Sequence, residues 1–77
     1  MKFTQYFLYT RTRPDRSCIK EEWIQNAIDK PLRTEIQKDG RVRKWIYIKE
    51  AEKYLRIILL SDGVTIHNAF FDRDFQE

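Results

Sequence analysis

Only two glycines occur in this chain, and each follows an aspartate: Asp39-Gly40 and Asp62-Gly63. Asp-Gly between segments of alternating polarity is the strongest short-range signal for a β-hairpin, because a type I′ turn needs positive φ at both central residues. Residues 32–38 and 41–49 flank the first pair, and residues 54–61 and 64–71 flank the second. The polar stretch Glu50-Ala51-Glu52-Lys53 joins the two hairpins, so three consecutive turns imply an antiparallel meander.

Residues 19–30 precede the meander and read as a helix. Ile19, Trp23, Ala27 and Ile28 recur at helical spacing among polar residues. Glu21 and Glu22 fall in the first turn, where the helix dipole favours negative charge, and Pro31 ends the run. Residues 3–10, rich in aromatics and threonine, suggest a strand, with a short helix as the alternative. The expected fold is α+β: one main helix on an antiparallel meander of four to five strands, in a single domain over residues 1–77. A chain of 77 residues buries only about 60% of its unfolded surface, so modest stability is expected.

With two-residue turns, Tyr47 pairs with Arg56, Trp45 with Ile58 and Arg43 with Leu60. Ile58 then pairs with His67, and Arg56 with Ala69. Alternation sorts these side chains onto two faces. Face one holds Val42, Ile46, Ile48, Leu55, Ile57, Leu59, Val64, Ile66 and Phe70, an aliphatic set for the helix to cover. Face two holds Arg43, Trp45, Tyr47, Arg56, Ile58, Leu60, Thr65, His67 and Phe71. One helix cannot cover both sides, so face two is expected to meet something else.

Trp45 and Tyr47 between Arg43 and Arg56 have the chemistry that RNA requires, since bases stack on rings and guanidinium planes. The alternative is a second small core capped by snorkelling arginines. His67, the single histidine, is the side chain suited to proton transfer near neutrality. It is expected beside Arg56, which disfavours a second positive charge. Arg11, Arg13 and Arg16 form one basic cluster, and Arg41, Arg43 and Lys44 another; either can follow a phosphate backbone or meet an acidic partner. Fifteen Lys and Arg against twelve Asp and Glu give a mildly basic +3. Phe70 is expected in the core, with Phe71 and Phe75 on the helix or at an interface.

One cysteine, Cys18, excludes an internal disulfide, and one cysteine with one histidine does not make a usual zinc set. No metal or other cofactor is expected. The start carries no continuous apolar core of a signal peptide, and the longest purely apolar run, residues 57–60, is far short of a membrane span. A cytoplasmic protein without membrane contact is therefore expected.

The order "IKEEWIQNAIDKP", "DGRVRKWIYI" and "KYLRIILLSDGVTIHNAFFD", over residues 17–73, resembles the compact RelE/ParE/BrnT-like toxin superfamily and small domains related to it. The resemblance implies a toxin-type protein acting on RNA, as a metal-independent ribonuclease or translation inhibitor, with the ribosome and a small antitoxin as partners. Carried over, Arg43, Arg56 and His67 are the expected catalytic residues. Trp45, Tyr47, Arg41, Lys44 and Arg73 are the expected RNA contacts. The long N-terminal helical hairpin of typical members is missing, which bears on activity more than on fold. The rival expectation is a non-enzymatic homodimer or protein-binding module that uses the aromatic and basic face.

Overall fold

The computed structural model describes residues 2–77. Its elements are β1 (Lys2–Phe3), α1 (Gln5–Thr10), α2 (Glu21–Asp29), β2 (Arg33–Ile36), β3 (Val42–Ile48), β4 (Lys53–Leu59) and β5 (Thr65–Phe71). The fold is α+β. Strands β2 to β5 form the meander, and β1 joins β5 in parallel, giving a mixed sheet in the order β1-β5-β4-β3-β2.

Residues 3–10 are chiefly helix. Thr4 is the N-cap, its hydroxyl accepting from the Phe7 amide at 3.1 Å. A side-chain oxygen there satisfies an amide that the first helical turn leaves free. Phe7 and Thr10 are buried on one side of the turn, and Phe7 stacks on Phe3 with ring centroids 5.3 Å apart. A strand would alternate these side chains across two faces. The helix gathers them on one, and that burial outweighs the strand preference of the aromatics.

The core lies between both helices and face one. Ala27, Leu55, Ile57, Leu59 and Ile66 are wholly buried, with Phe7, Trp23, Ile24, Ile48 and Ala69 around them. Lys44 also projects from this face; its ammonium reaches the Ile28 carbonyl at 3.0 Å and so binds the last turn of α2. Cations are favoured at that end of a helix.

The turns differ from the two-residue form in an instructive way. At Asp39-Gly40 the loop is 38–40, closed by Gln37 and Arg41, with Gly40 at φ +90°. At Asp62-Gly63 it is 61–64, closed by Leu60 and Thr65, with Gly63 at φ +73°. The Asp62 side chain accepts from the Val64 and Thr65 amides and the Thr65 hydroxyl, which lowers its pKa to about 2. Between β3 and β4 the loop is 49–52, so Tyr47 pairs with Tyr54 and Trp45 with Arg56. That slip of two residues preserves both faces.

The β4–β5 register changes at one place. Leu59 pairs with Ile66, as the turn requires, but Ile58 pairs with Asn68, leaving His67 as an extra residue in a bulge. Beyond it each β5 side chain changes face. Ala69 and Phe71 thereby enter face one, where Phe71 meets Trp23 with centroids 6.3 Å apart, and Phe70 moves to face two.

Candidate functional site

Face two carries Arg33 and Glu35 of β2, Arg43, Trp45 and Tyr47 of β3, Tyr54, Arg56 and Ile58 of β4, and Asn68 and Phe70 of β5. No helix covers it. Residues 72–77 cross part of it instead. The Trp45 indole donates to Asp72 Oδ2 at 3.0 Å, and Arg56 Nη1 approaches the same oxygen at 3.5 Å. Phe75 stacks on Trp45, with centroids 5.1 Å apart and planes at 21°, and leans on Tyr54 at 4.9 Å. The Arg33 guanidinium lies 5.0 Å from the Phe75 ring. Tyr54 donates its hydroxyl to Glu77 Oε2 at 2.5 Å, which raises the phenol's pKa.

Trp45 is therefore 4% exposed, and a base can stack on it only when Phe75 has left. Tyr47 remains exposed, edge-on to Tyr54 at 5.1 Å. Burial raises the Asp72 pKa, but the donors Trp45, Asp74 and Arg56 outweigh it, and the carboxyl sits below its ordinary value. Asp72 stays an anion against Arg56.

The other part of face two is open and basic. Arg41 ends the turn before β3, and Arg43 on β3 stands opposite Ile58, which in turn faces Asn68. Arg16 reaches the far end of that row from the loop before α2, donating to Asn68 Oδ1 at 2.7 Å. Arg16 and Arg56 both lie over Phe70, at 5.4 and 5.2 Å from its centroid, and the Nε of each is buried without a hydrogen-bond partner. Arg41 pairs with Asp39 at 3.6 Å, and Arg43 meets Glu35 at 4.0 Å, both on the surface, where such pairs are weak.

His67 stands at the border of this patch. Its Nδ1 is 3.1 Å from the Thr4 hydroxyl, and its ring stacks on the exposed Tyr6 at 4.9 Å and 23°. Burial first, and the Arg41 charge second, lower its pKa, so the imidazole is neutral at pH 7. In the tautomer whose Nδ1–H donates to the Thr4 hydroxyl, Nε2 is the nitrogen left to accept a proton.

Structure thus gathers Arg41, Arg43 and His67 in one open region, and Arg56 with Trp45 under the 72–77 segment. Lys44 lies on the opposite face, bound to α2, and Arg73 follows β5 as an exposed residue with no hydrogen bond or ion pair to another side chain among the described residues. Arg56 is not the cation beside His67, because the bulge and its salt bridge to Asp72 separate their roles. Thr4, Tyr6, Arg16, Asn68 and Asp72 were not expected in the region. Thr4 is a residue type that favours a helix N-cap, but nothing in the spacing announced its contact with His67 or the other four.

Among the described residues no group of His, Cys, Asp and Glu is clustered as metal ligands are, and no helix is long and apolar enough to cross a membrane. No family model matches the chain, and no curated protein or solved structure shows significant similarity to it.

Proposed function

We propose that this protein acts on RNA, as a small toxin-type ribonuclease or translation inhibitor that works without a metal. The observation that supports this is a neutral, Thr4-anchored His67 stacked on exposed Tyr6 and bordered by Arg41 and Arg43. In the cleavage reading, His67 Nε2 takes the proton from a ribose 2′-hydroxyl. The oxygen attacks the adjacent phosphorus, and the 5′-oxygen departs with a proton returned by the same imidazolium. Arg41, Arg43 and Arg16 offset the charge that builds on the phosphate, while Tyr6 and Tyr47 offer rings to neighbouring bases. Arg56 and Trp45 join only if residues 72–77 lift away. The ribosome as the place of action, a small antitoxin as the neutralising partner and a cytoplasmic location belong to the same proposal.

The test is binding and cleavage of a labelled single-stranded RNA at several salt concentrations. Arg43→Ala should weaken binding roughly tenfold and flatten the salt dependence. His67→Ala should keep binding and abolish cleavage. Salt-insensitive or absent binding by the folded parent protein would remove RNA from consideration.

One observation favours a second reading, a non-enzymatic protein-binding module. Face two already holds a short acidic and aromatic peptide, its own residues 72–77, by an ion pair, an indole hydrogen bond and a ring stack. A partner segment of that chemistry fits the same groove, and a homodimer through this face would first displace Phe75.

A further inference from the structure

Among the described residues, no strand lies beside the outer edge of β2. Beside β5 lies β1, and Arg16 is bonded to Asn68 further along that strand. On the other side β2 has β3 as its single neighbour, and each residue of Arg33–Ile36 is exposed. Leu32 and Ile36 are 51% and 75% exposed, among the most exposed large hydrophobic residues of the chain. Neither proline nor lysine, the usual edge protectors, lies within the strand.

The ladder fixes which backbone groups are free. The Gln37 amide donates to the Arg41 carbonyl at 2.8 Å. In an antiparallel pair the bonded positions alternate. Glu35 opposite Arg43 and Arg33 opposite Trp45 are thus turned toward β3. The N–H and C=O groups of Thr34 and Ile36 point outward, away from the sheet.

We propose that β2 pairs with β2 of a second copy of this chain, antiparallel about a two-fold axis at Thr34, so that the two sheets become one. A two-fold axis normal to the sheet keeps every side chain on its own face. Thr34 then exchanges backbone hydrogen bonds with its own counterpart. The Leu32 amide already donates to the Trp45 carbonyl at 2.7 Å, so the new ladder is confined to residues 33–35 about this axis. On face two Arg33 stands opposite Glu35 of the other copy, and Glu35 opposite Arg33.

Charge selects this register. Centring on Arg33 or Glu35 sets like charges against each other, and centring on Ile36 runs the pairing into the 38–40 turn. Only the Thr34 centre joins opposite charges, and its bonding phase is the one the free groups of Thr34 already have.

Light scattering and sedimentation equilibrium on the full chain should show a concentration-dependent dimer. Thr34→Pro removes an outward amide that β3 does not use, and should leave a folded monomer. Arg33→Glu and Glu35→Arg should each weaken the dimer by roughly tenfold or more, since the symmetry places every altered pair twice. Mixing the two single variants should restore association as a heterodimer, and the double swap should restore the homodimer. A parent protein that stays monomeric at high concentration overturns the proposal. So does a dimer indifferent to Thr34→Pro, or a variant mixture that remains monomeric.

Discussion

The two sides of this sheet are covered in different ways. Face one lies under two helices, and its central side chains Leu55, Ile57, Leu59 and Ile66 are fully buried aliphatics. Face two lies partly under residues 72–77, and there the contacts are aromatic and polar at once. Trp45 is buried yet its N–H is bonded to Asp72, and Phe75 rests between Trp45, Tyr54 and the Arg33 guanidinium. A dry aliphatic layer gains stability in proportion to area and offers no specific partner. A cover built of one ring and one carboxylate gains less, but it fixes one arrangement and can be released as a unit. Face one therefore carries most of the fold's stability, and face two holds the polar and aromatic chemistry.

The sharpest way to break this comparison is to truncate a central residue on face one. Leu55→Ala should cost about 2–5 kcal/mol, because its site is enclosed by neighbours that relax only in part. Total stability in a domain this size is of the same order, so the variant should be largely unfolded at moderate urea. Chemical denaturation followed by circular dichroism reads the effect directly. A loss below about 1 kcal/mol would mean that the helices are not the main cover.

A smaller effect is expected on the other side. Phe75→Ala should cost about 1–2 kcal/mol, the loss of one partly exposed ring and its stacking. The same change should expose Trp45. In a Trp23→Phe background its fluorescence should shift to the red, and acrylamide should quench it more strongly. If Phe75→Ala costs as much as Leu55→Ala, face two is a second core and the distinction collapses. If Trp45 stays protected, something other than Phe75 covers it.

The parts of this molecule that sequence periodicity reveals are those on face one and in the strands that build it. The helix around Trp23 and Ala27 follows from a 3.6-residue repeat, and the four meander strands follow from alternation around Asp39-Gly40 and Asp62-Gly63. Two-residue slips in loop length, as between β3 and β4, leave such a reading intact because the side-chain period is two. The bulge at His67 does not. One extra residue reverses Ala69, Phe70 and Phe71, and no residue there signals it in advance. The candidate site depends on that bulge and on distant chain segments. Thr4 and Tyr6 come to His67 through the parallel pairing of β1 with β5, and Asp72 and Phe75 come to Trp45 by folding back past β5. Residues such as Arg43 and His67 were visible as chemistry, but their partners were not, because contacts so far apart in sequence leave no periodic trace.

The finest test of the comparison uses protons. The wholly buried residues of face one are aliphatic, whereas His67, at the other face's margin, is the side chain whose ordinary pKa lies near neutrality. Its folded pKa lies below the ordinary 6.5, chiefly because burial penalises the imidazolium and secondly because Arg41 repels it. Above the unfolded value neither state binds the proton, and stability is flat. As pH falls through that value the unfolded chain takes up a proton that the folded chain resists, so stability declines. The decline ends only below the folded pKa. The depressed Asp72 carboxyl acts in the same direction, but in a more acidic window, below the ordinary carboxyl value of 3.8. Urea midpoints should therefore fall between about pH 7.5 and about pH 5.5, and His67→Gln should remove that slope while leaving the acid limb due to Asp72 and Asp62. A slope unchanged in His67→Gln would show that the imidazole is as free in the folded chain as in the unfolded one. Thr4, Tyr6 and Arg41 would then leave it no less solvated than in the unfolded chain, and the neutral base on which the cleavage reading depends would be an ordinary surface histidine.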